Sequence, residues 1–396
     1  MANAAAPLLT QEGVDDDTTL RLLATGLVQL ADTLPPVRVP YSDPLQRGLN
    51  RLAWRSVRTN SPLVEGLADF LVWARRPIAS WPISLNLGER DAIGPDDALL
   101  GGPDGDRPTD VCEELTLKPS PDAEAESVEK RLILDVLNLC RRPGGERTYT
   151  AYRRLLITQP VLTEDGLFTA CEQPELQLLA NHLRLDYQLA PLALAVDGQF
   201  ALCPKCQNLV YRSSIQGVFL CDDSACAGAQ GIIPITFLPV RAQVYWLRRE
   251  LRRFVARPGR AEIALEERLQ ALGVDVELWP AVDAYDLRIT FPRTGEVWAV
   301  DVKDWANAYY LANAVTPFRR EPRWTRAFFV FPEARRDRQD RYLTIFTRRC
   351  QQRMARAAGG PLNLLDDRCQ ALFVEDFVRQ VERQLAPPQG RRRANA

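Results

Sequence analysis

The spacing of hydrophobic residues predicts that the first half of the chain is largely helical. Apolar residues recur at helical spacing in several segments of residues 1–93 and again in residues 127–191. The predicted helices cover residues 18–34, 62–75, 127–141, 149–157 and 174–189. Residues 94–126, between the two regions, are rich in glycine, proline and aspartate, so this stretch is predicted to be a linker or a long loop.

The second half of the chain is predicted to combine strands and helices. Short alternating segments in residues 192–235 are typical of a small β-module. Residues 236–256 carry arginines between apolar positions at helical spacing, which predicts a basic connecting helix. Residues 257–386 predict a mixed α/β domain, and residues 387–396 a disordered tail. The later strands of the α/β domain are predicted at 327–331 and 371–374. The expected fold class is therefore multidomain α+β.

Four of the nine cysteines form a metal-binding pattern. Cys203 and Cys206 are followed, after 14 intervening residues, by Cys221 and Cys226. Two cysteine pairs at this spacing are typical of a zinc ribbon, in which two tight turns hold one tetrahedral Zn²⁺. Four cysteine ligands leave no open coordination position, so the predicted zinc is structural and would supply folding energy to a small module. The other five cysteines have apolar neighbours and are expected to be buried.

Composition narrows the chemistry that is expected of the chain. It has a single histidine, His182, which excludes sites built from several histidine ligands and argues against histidine-based acid–base catalysis. Catalysis would then depend on carboxylates, lysine, cysteine or a metal ion. The sequence shows neither an apolar stretch of about 20 residues that could span a membrane nor a signal peptide, so a cytoplasmic protein is expected.

A helix followed by a β-hairpin is predicted in residues 257–303. The helix is predicted to begin at Glu262 and to end at Gly273, because glycine readily adopts the left-handed conformation that terminates helices. Alternating apolar residues then predict two strands with a four-residue loop between them. The strands are expected at 285–291 and 296–303, and the loop at 292–295.

The pairing of these strands would place charged side chains on one face of the hairpin. The loop favours a register in which Phe291 pairs with Glu296. In that register Asp286 falls opposite Asp301, with their β-carbons about 5 Å apart. Lys303 lies on the same face because side chains alternate along a strand. Two facing aspartates repel each other unless a cation lies between them, so the pattern predicts a cation site.

These residues resemble the active site of the PD-(D/E)xK restriction-endonuclease-like nucleases. Asp286, the Asp-Val-Lys triplet at 301–303 and an upstream helix bearing Glu262 match the family's motif, and the element order fits as well. The resemblance covers residues 257–382 and implies a restriction-endonuclease-like core with a mixed sheet. Two positions depart from the pattern: Tyr285 stands where the family has proline, and the triplet begins with aspartate instead of glutamate.

The resemblance also implies how a catalytic metal would be held. Asp286 and Asp301, with the carbonyl oxygen of Val302, would bind Mg²⁺ or Mn²⁺, which are hard cations that prefer oxygen ligands. Glu262 would complete the site directly or through water. Glu266, one helical turn further along, is the alternative to Glu262.

The remaining implied role belongs to Lys303, which would orient the attacking water or stabilise charge at the phosphorus while the metal lowers the pKa of that water. The implied function is a Mg²⁺- or Mn²⁺-dependent endonuclease that hydrolyses phosphodiester bonds in nucleic acid, with DNA as the expected substrate. Two alternatives stay open. One is a nuclease-fold subunit that binds or assembles without cleaving, and the other is a zinc-ribbon interaction factor.

The order of the segments carries a second resemblance. A helical region, a four-cysteine module and a terminal Asp-x-Lys domain are similar to the nuclease partner of bacterial PIWI-like, Argonaute-related proteins in three-gene defence operons. This resemblance implies a function in prokaryotic defence against foreign DNA. It also implies a PIWI/Argonaute-like protein and a helicase as partners. A homodimer is compatible with it, because many such nucleases dimerise to cut both strands.

The net charge of −1 conceals an uneven distribution. Residues 1–240 contain 21 basic and 31 acidic side chains, for a net charge of −10. Residues 241–396 contain 29 basic and 20 acidic side chains, for a net charge of +9. The positive part includes the predicted hairpin, where arginines could contact phosphates or simply form a solvated face.

Overall fold

The computed structural model separates the chain into two compact units, Met1–Lys118 and Pro119–Ala396. It describes residues 16–31, 39–86, 93–94, 96–101, 105, 107–116, 129–213, 215, 217–221, 223, 226, 231–338, 341–356 and 365–386. The predicted tail at 387–396 lies outside the described residues. No helix among the described residues has the length and apolar character needed to cross a membrane.

The first unit is mainly helical, as predicted, but it extends further than expected. Its elements are α1 (Asp16–Ala31), α2 (Asp43–Thr59), α3 (Leu67–Ala74), β1 (Leu100–Gly101), β2 (Arg107–Pro108) and α4 (Asp110–Thr116). The prediction of a linker at 94–126 is wrong for its described part, because Leu100, Val111 and Leu115 are buried. The low hydrophobic content of this segment concealed a short hairpin and a helix whose few apolar residues all enter the core.

The second unit begins with helices and a small sheet. Its first elements are α5 (Glu129–Cys140), α6 (Gly145–Thr158), β3 (Val161–Thr163), α7 (Glu164–Glu172), α8 (Ala180–Asp186) and β4 (Tyr187–Leu189). The helix predicted over 174–189 therefore stops at Asp186, and its last three residues form a strand. This strand has a partner further along the chain, which a local pattern does not reveal.

A four-stranded sheet and a third strand of the small sheet come next. The sheet has the order β7-β6-β5-β8 and contains β5 (Gln199–Leu202), β6 (Leu209–Arg212), β7 (Phe219–Cys221) and β8 (Thr236–Pro239). The helix predicted over 236–256 is wrong in its first half, because β9 (Val244–Leu247) pairs with both β3 and β4. The segment Val-Tyr-Trp-Leu favours a strand, and pairing with the two partner strands stabilises this conformation.

A long helical segment follows β9. It consists of α9 (Arg249–Leu251), a π-helical turn (Arg252–Ala256) and α10 (Arg257–Ala271). Glu262 therefore lies in the middle of a helix and does not begin one, which corrects the prediction. The predicted end of the helix is confirmed, since Gly273 has a φ of 80° directly after it.

The remaining elements form a five-stranded mixed sheet with helices on both faces. They are β10 (Asp275–Leu278), α11 (Pro280–Asp283), β11 (Leu287–Phe291), β12 (Glu296–Val302), α12 (Ala308–Ala314), β13 (Arg326–Phe331), α13 (Glu333–Arg338), α14 (Tyr342–Arg356), β14 (Cys369–Phe373) and α15 (Val374–Leu385). The strand order follows the chain from β10 to β14. The first two pairings are antiparallel, and the last two are parallel. Strand β10 was not predicted, whereas the mixed sheet was.

One hydrophobic core joins the helices of residues 129–191 to this sheet. Leu156 and Ile157 of α6 belong to the same buried cluster as Leu269 of α10, Trp298 of β12 and Phe377 of α15. A second cluster, which includes Phe329 and Phe346, packs between the sheet and α14. The predicted boundary between a helical region at 127–191 and a nuclease domain at 257–386 therefore passes through a shared core.

Candidate functional site

The hairpin formed by β11 and β12 has the predicted register. Phe291 pairs with Glu296, and the ladder continues to the pair formed by Leu287 and Val300. Asp286 directly precedes Leu287 and therefore lies just outside this ladder. Its Oδ2 accepts a hydrogen bond of 2.7 Å from the backbone N–H of Val302 on the opposite strand.

Lys303 joins the two aspartates of the hairpin. Its Nζ lies 3.3 Å from Oδ2 of Asp301 and 3.7 Å from Oδ2 of Asp286. The parallel strand β13 fixes the backbone at this point, because the N–H of Lys303 donates a hydrogen bond of 2.9 Å to the carbonyl of Val330. Asp286 is 6% exposed, whereas the side chains of Asp301 and Lys303 are 20% and 26% exposed, so the cluster reaches solvent at one end.

Glu262 approaches this cluster from α10, but its oxygens already have donors within the chain. Both oxygens lie 2.9 Å from NH2 of Arg153, and Oε2 also accepts a hydrogen bond of 2.5 Å from Nε1 of Trp279. Glu262 is 2% exposed. Glu266, the alternative in the sequence, instead pairs with Arg154, whose NH2 lies 2.8 Å from Oε2. Glu262 is therefore the helix carboxylate that belongs to the cluster.

Arg153 is the residue of the site that the sequence did not identify. It lies on α6, and its NH2 is 3.9 Å from Oδ1 of Asp286. Its NH1 pairs with Asp283, and its guanidinium carbon lies 4.8 Å from the ring centroid of Trp279. Arg153 occupies the apolar face of α6, four residues after the buried Tyr149, and a charged residue at such a position was a signal that could have identified it.

A close approach of two helices lets α6 reach this site. A Cβ atom added at Gly259 of α10 would lie 2.3 Å from Cδ1 of Ile157 on α6, so a larger residue there would require the Ile157 side chain to move. Two ion pairs connect the two helices, between Arg153 and Glu262 and between Arg154 and Glu266.

The turn between β10 and β11 has an unusual backbone. Trp279, Ala281, Val282 and Asp283 have φ values of 50°, 48°, 57° and 67°. The left-handed conformation costs about 1–2 kcal/mol for each residue that has a Cβ atom. The turn places Trp279 and Asp283 against Arg153, so this strain is located where the site is assembled.

Burial and neighbouring charge shift the pKa values of the acidic groups. Burial raises the pKa of Asp286 well above its ordinary value, and Glu262 raises it further, against the opposing effect of Lys303. Burial also raises the pKa of Glu262, although Arg153 opposes this shift. Burial by itself would lower the pKa of Lys303, but the surrounding carboxylates, Asp286 first, raise it. Burial therefore favours the neutral form of the two carboxyl groups, whereas the surrounding carboxylates hold the lysine in its ionised form.

The four cysteines of the ribbon converge on one point. Their sulfur atoms all lie within 4.8 Å of one another, and those of Cys206 and Cys221 are 3.3 Å apart. Nδ2 of Asn208 lies 3.5 Å from the sulfur of Cys206, and the N–H of Asp223 lies 3.4 Å from that of Cys221. Such N–H donors stabilise thiolates, and the arrangement suits a tetrahedral zinc ion. The other five cysteines are buried and unpaired by disulfides, as predicted.

Salt bridges connect the zinc-ribbon module to α10. Asp223, directly beside the cysteine cluster, is 4% exposed. One of its oxygens lies 3.3 Å from Nε of Arg257, and the other pairs with Arg260. Both arginines lie on the helix that carries Glu262, so the ribbon contributes to the position of that helix.

The carboxylates differ from the cysteines in how closely their ligand atoms converge. Within the described part of the chain, the cysteine cluster is the group whose ligand atoms lie within 4.8 Å of one another. The carboxylates of Glu262, Asp286 and Asp301 do not form such a group among the described residues, and Arg153 and Lys303 pair with them. Their hard oxygen atoms and excess negative charge nevertheless suit a divalent cation. The side chains of Asp286 and Asp301 both contact the ammonium group of Lys303.

Two arginines of the basic segment at 236–256 have partners within the chain. The guanidinium of Arg252 lies 3.5 Å from the ring centroid of Trp246, and its NH1 donates a hydrogen bond to the carbonyl of Leu247. Nε of Arg248 donates a hydrogen bond of 2.6 Å to the carbonyl of Leu185. Both arginines thus stabilise the junction between β9 and the helix that follows.

Comparisons with known families match two parts of the chain. Residues 259–387 match the model of a family described as a restriction endonuclease (REase) associating with pPIWI_RE. Residues 19–163 match the model described as pPIWI_RE three-gene island domain Y. A comparison with curated proteins finds no match. The two matches support the resemblance to proteins of a PIWI-associated three-gene island. Arg153 lies in the second of these segments, and Glu262, Asp286, Asp301 and Lys303 lie in the first.

Proposed function

We propose that this protein is a metal-dependent endonuclease of the PD-(D/E)xK type, which hydrolyses phosphodiester bonds in DNA. The observation that carries this proposal is the meeting of Asp286, Asp301 and Lys303 at the open end of the β11–β12 hairpin. The segment that contains them matches a family described as a restriction endonuclease. The net charge of +9 in residues 241–396 also favours a polyanionic substrate.

Each residue of the hairpin has a role that its position supports. Asp286 and Asp301, with the carbonyl of Val302, would hold Mg²⁺ or Mn²⁺, and the bound metal would supply a more acidic water molecule. Lys303, whose ammonium lies between the two carboxylates, would orient this water or stabilise charge on the phosphate. Val302 serves a second purpose, since its N–H fixes Asp286.

The cysteine cluster would hold a structural Zn²⁺ ion. The four ligands leave no position open for a substrate, so the zinc contributes to folding and not to the reaction. The salt bridges of Asp223 to Arg257 and Arg260 transmit this stabilisation to α10.

We further propose that the protein works in prokaryotic defence against foreign DNA. The matched families are described as associating with pPIWI_RE and as a domain of its three-gene island, which supports a PIWI-related protein as the partner. A helicase as a further partner and a homodimer as the cleaving form belong to the same proposal.

A plasmid-cleavage assay with the full chain tests the nuclease. We expect nicking or cleavage of supercoiled DNA in the presence of Mn²⁺, with RNA of similar length as the comparison substrate. Asp301→Ala and Lys303→Ala should each lower the rate by about 100-fold or more, because a metal ligand and a charge-stabilising group contribute several kcal/mol. Arg154→Ala, which breaks the neighbouring ion pair of the same two helices, should retain cleavage. Cleavage that survives both substitutions in the hairpin would refute the site.

A second function is favoured by the geometry of Glu262. Because Arg153 and Trp279 already donate hydrogen bonds to the two oxygens of this carboxylate, the fold could serve as a nucleic-acid-binding or assembly subunit that does not cleave. That function predicts binding of DNA without cleavage, and unchanged binding in the Asp301→Ala variant. A zinc-ribbon interaction factor predicts instead that loss of Cys203 abolishes partner binding while Asp286→Ala has no effect.

A further inference from the structure

We infer that Arg153 is a positioning residue that fills the place of a second metal ion, so that the candidate nuclease site takes a single divalent cation. This inference rests on the proposed function, because it concerns the same carboxylates. It adds a residue from outside the segment that matches the restriction-endonuclease family, since Arg153 belongs to the segment that matches domain Y.

The first argument is the coordination of Glu262. A carboxylate that binds a metal must turn at least one oxygen towards it. Both oxygens of Glu262 instead face NH2 of Arg153, and one also accepts the N–H of Trp279. Glu262 is therefore an anchor for the guanidinium and acts on the metal through it.

The second argument is that several contacts within the chain hold Arg153 in the site. Its guanidinium contacts Glu262, Asp283 and the ring of Trp279, and its NH1 lies 3.2 Å from the hydroxyl of Tyr149. Removing one partner from a buried ion pair of this kind is strongly unfavourable. With these contacts, Arg153 is expected to stay in the site when substrate binds. Its positive charge therefore remains part of the site.

The third argument is a balance of charge. The ion pairs of the site connect four carboxylates and two cations. The carboxylates belong to Glu262, Asp283, Asp286 and Asp301, and the cations to Arg153 and Lys303. The ionised cluster has a net charge of −2, which one divalent cation neutralises. A second metal ion would leave the buried cluster with an excess of positive charge.

The exposure of the side chains indicates where the single divalent cation would bind. Arg153 occupies the buried end of the cluster, where Glu262 is 2% exposed. Asp301, with a 20% exposed side chain, lies at the open end together with Lys303. The single cation is thus expected between Asp286 and Asp301, where substrate can reach it, and Arg153 helps to fix Asp286 from behind.

Counting bound Mn²⁺ tests this inference without any measurement of cleavage. The full chain, with its zinc content known, is titrated with Mn²⁺ by calorimetry and by electron paramagnetic resonance. The wild-type protein should bind one Mn²⁺ ion that is lost in Asp301→Ala. Two Mn²⁺ ions that are both lost in Asp301→Ala would overturn the inference.

Variants of Glu262 and Arg153, at the buried end of the cluster, make the test more specific. Glu262→Gln should retain one Mn²⁺ ion with an affinity weakened by about 10- to 100-fold, as expected for a residue that only supports a ligand. A loss of binding as complete as in Asp301→Ala would show that Glu262 is a ligand and overturn the inference. Arg153→Ala should bind a second Mn²⁺ ion, whereas Arg153→Lys, which keeps the charge, and Arg154→Ala, the matched control, should each bind one.

An unchanged count of one in Arg153→Ala would also contradict the inference. The wild-type count and the Glu262→Gln affinity decide the matter even if Arg153→Ala does not fold. The two proposals fail separately: a protein with one bound Mn²⁺ ion and no cleavage contradicts only the nuclease, and an active enzyme with two ions contradicts only the role of Arg153.

Discussion

Arginine and lysine have different tasks in the candidate site, and their chemistry explains the difference. The chain has 50 basic residues, of which only four are lysines. Lys303 places a compact ammonium group between Asp301 and Asp286. Arg153 instead uses a planar guanidinium to contact both oxygens of Glu262 and to stack on Trp279. Lys303 is one of only four lysines in the sequence, whereas Arg153 is one of many arginines.

A buried aspartate outside the candidate site gives a prediction for pH. Asp186 is 1% exposed and accepts a hydrogen bond of 2.6 Å from the hydroxyl of Tyr152. Burial raises the pKa of Asp186 from 3.8 to about 6, although the hydrogen bond from Tyr152 opposes the shift. Between these values the folded protein binds a proton that the unfolded chain has released. Stability therefore falls as the pH rises through this window.

Asp186→Asn should remove this dependence. Relative to wild type, the free energy of unfolding of the variant should increase by about 1–3 kcal/mol between pH 4 and pH 7.5, because asparagine does not have to ionise inside the protein. Urea unfolding at the two pH values measures the difference. Asp135→Asn, at an exposed position of α5, is the control and should show no such change. A difference between Asp186→Asn and wild type that is constant with pH would contradict the prediction.

At the scale of elements, local sequence decided some structures and distant partners decided others. The β11–β12 hairpin formed in the predicted register because its loop and its alternation act over a few residues. The segment at 240–256 satisfies a helical pattern in part, yet its residues Val244–Leu247 form the central strand of the β3-β9-β4 sheet. Both neighbours of this strand lie more than 50 residues away in the chain, beyond the reach of a periodicity argument.

The zinc ribbon is the element whose stability is expected to depend most on a ligand. One face of its sheet buries the four cysteines with Ala201, Val210 and Ile232, and the other packs against β9, so the module buries little apolar surface of its own. We expect one zinc ion per chain in the purified protein, measured by elemental analysis. Cys203→Ser should lower the zinc content and the melting temperature, because a lost ligand weakens both the metal site and the folding energy that it supplies.

Cys171→Ser provides the control for this experiment. Cys171 is also buried, but it lies on α7 and away from the cluster, so its replacement should leave the zinc content at one per chain. A folded wild-type protein with well under one zinc ion per chain would exclude the metal site.

At the scale of the whole molecule, the division into units differs from the division predicted by sequence patterns. The helices of residues 129–191 and the five-stranded sheet share one buried cluster, and Arg153 connects the two through Glu262 and Asp283. The segment that matches the restriction-endonuclease family is thus part of a larger folding unit, Pro119–Ala396.

Truncation tests this view of the fold. A fragment of residues 119–396 should unfold in one cooperative thermal transition, since it retains the whole shared core. A fragment of residues 257–396 should be insoluble or should melt without cooperativity, because it exposes the apolar surface that packs against α6 and leaves Glu262 without Arg153. Circular dichroism and solubility distinguish the two fragments. Cooperative unfolding of the shorter fragment would contradict the shared core.

The sequence by itself determined the features that depend on short separations. These are the cysteine spacing, the hairpin register, and the placement of Asp286, Asp301 and Lys303 at one end of that hairpin. Only the tertiary structure decided that Glu262 pairs with Arg153, 109 residues away, and that residues 129–191 belong to the core of the sheet. The reason is physical: turns and alternation constrain neighbours along the chain, whereas a buried charge selects whichever partner the packing of two helices brings within reach.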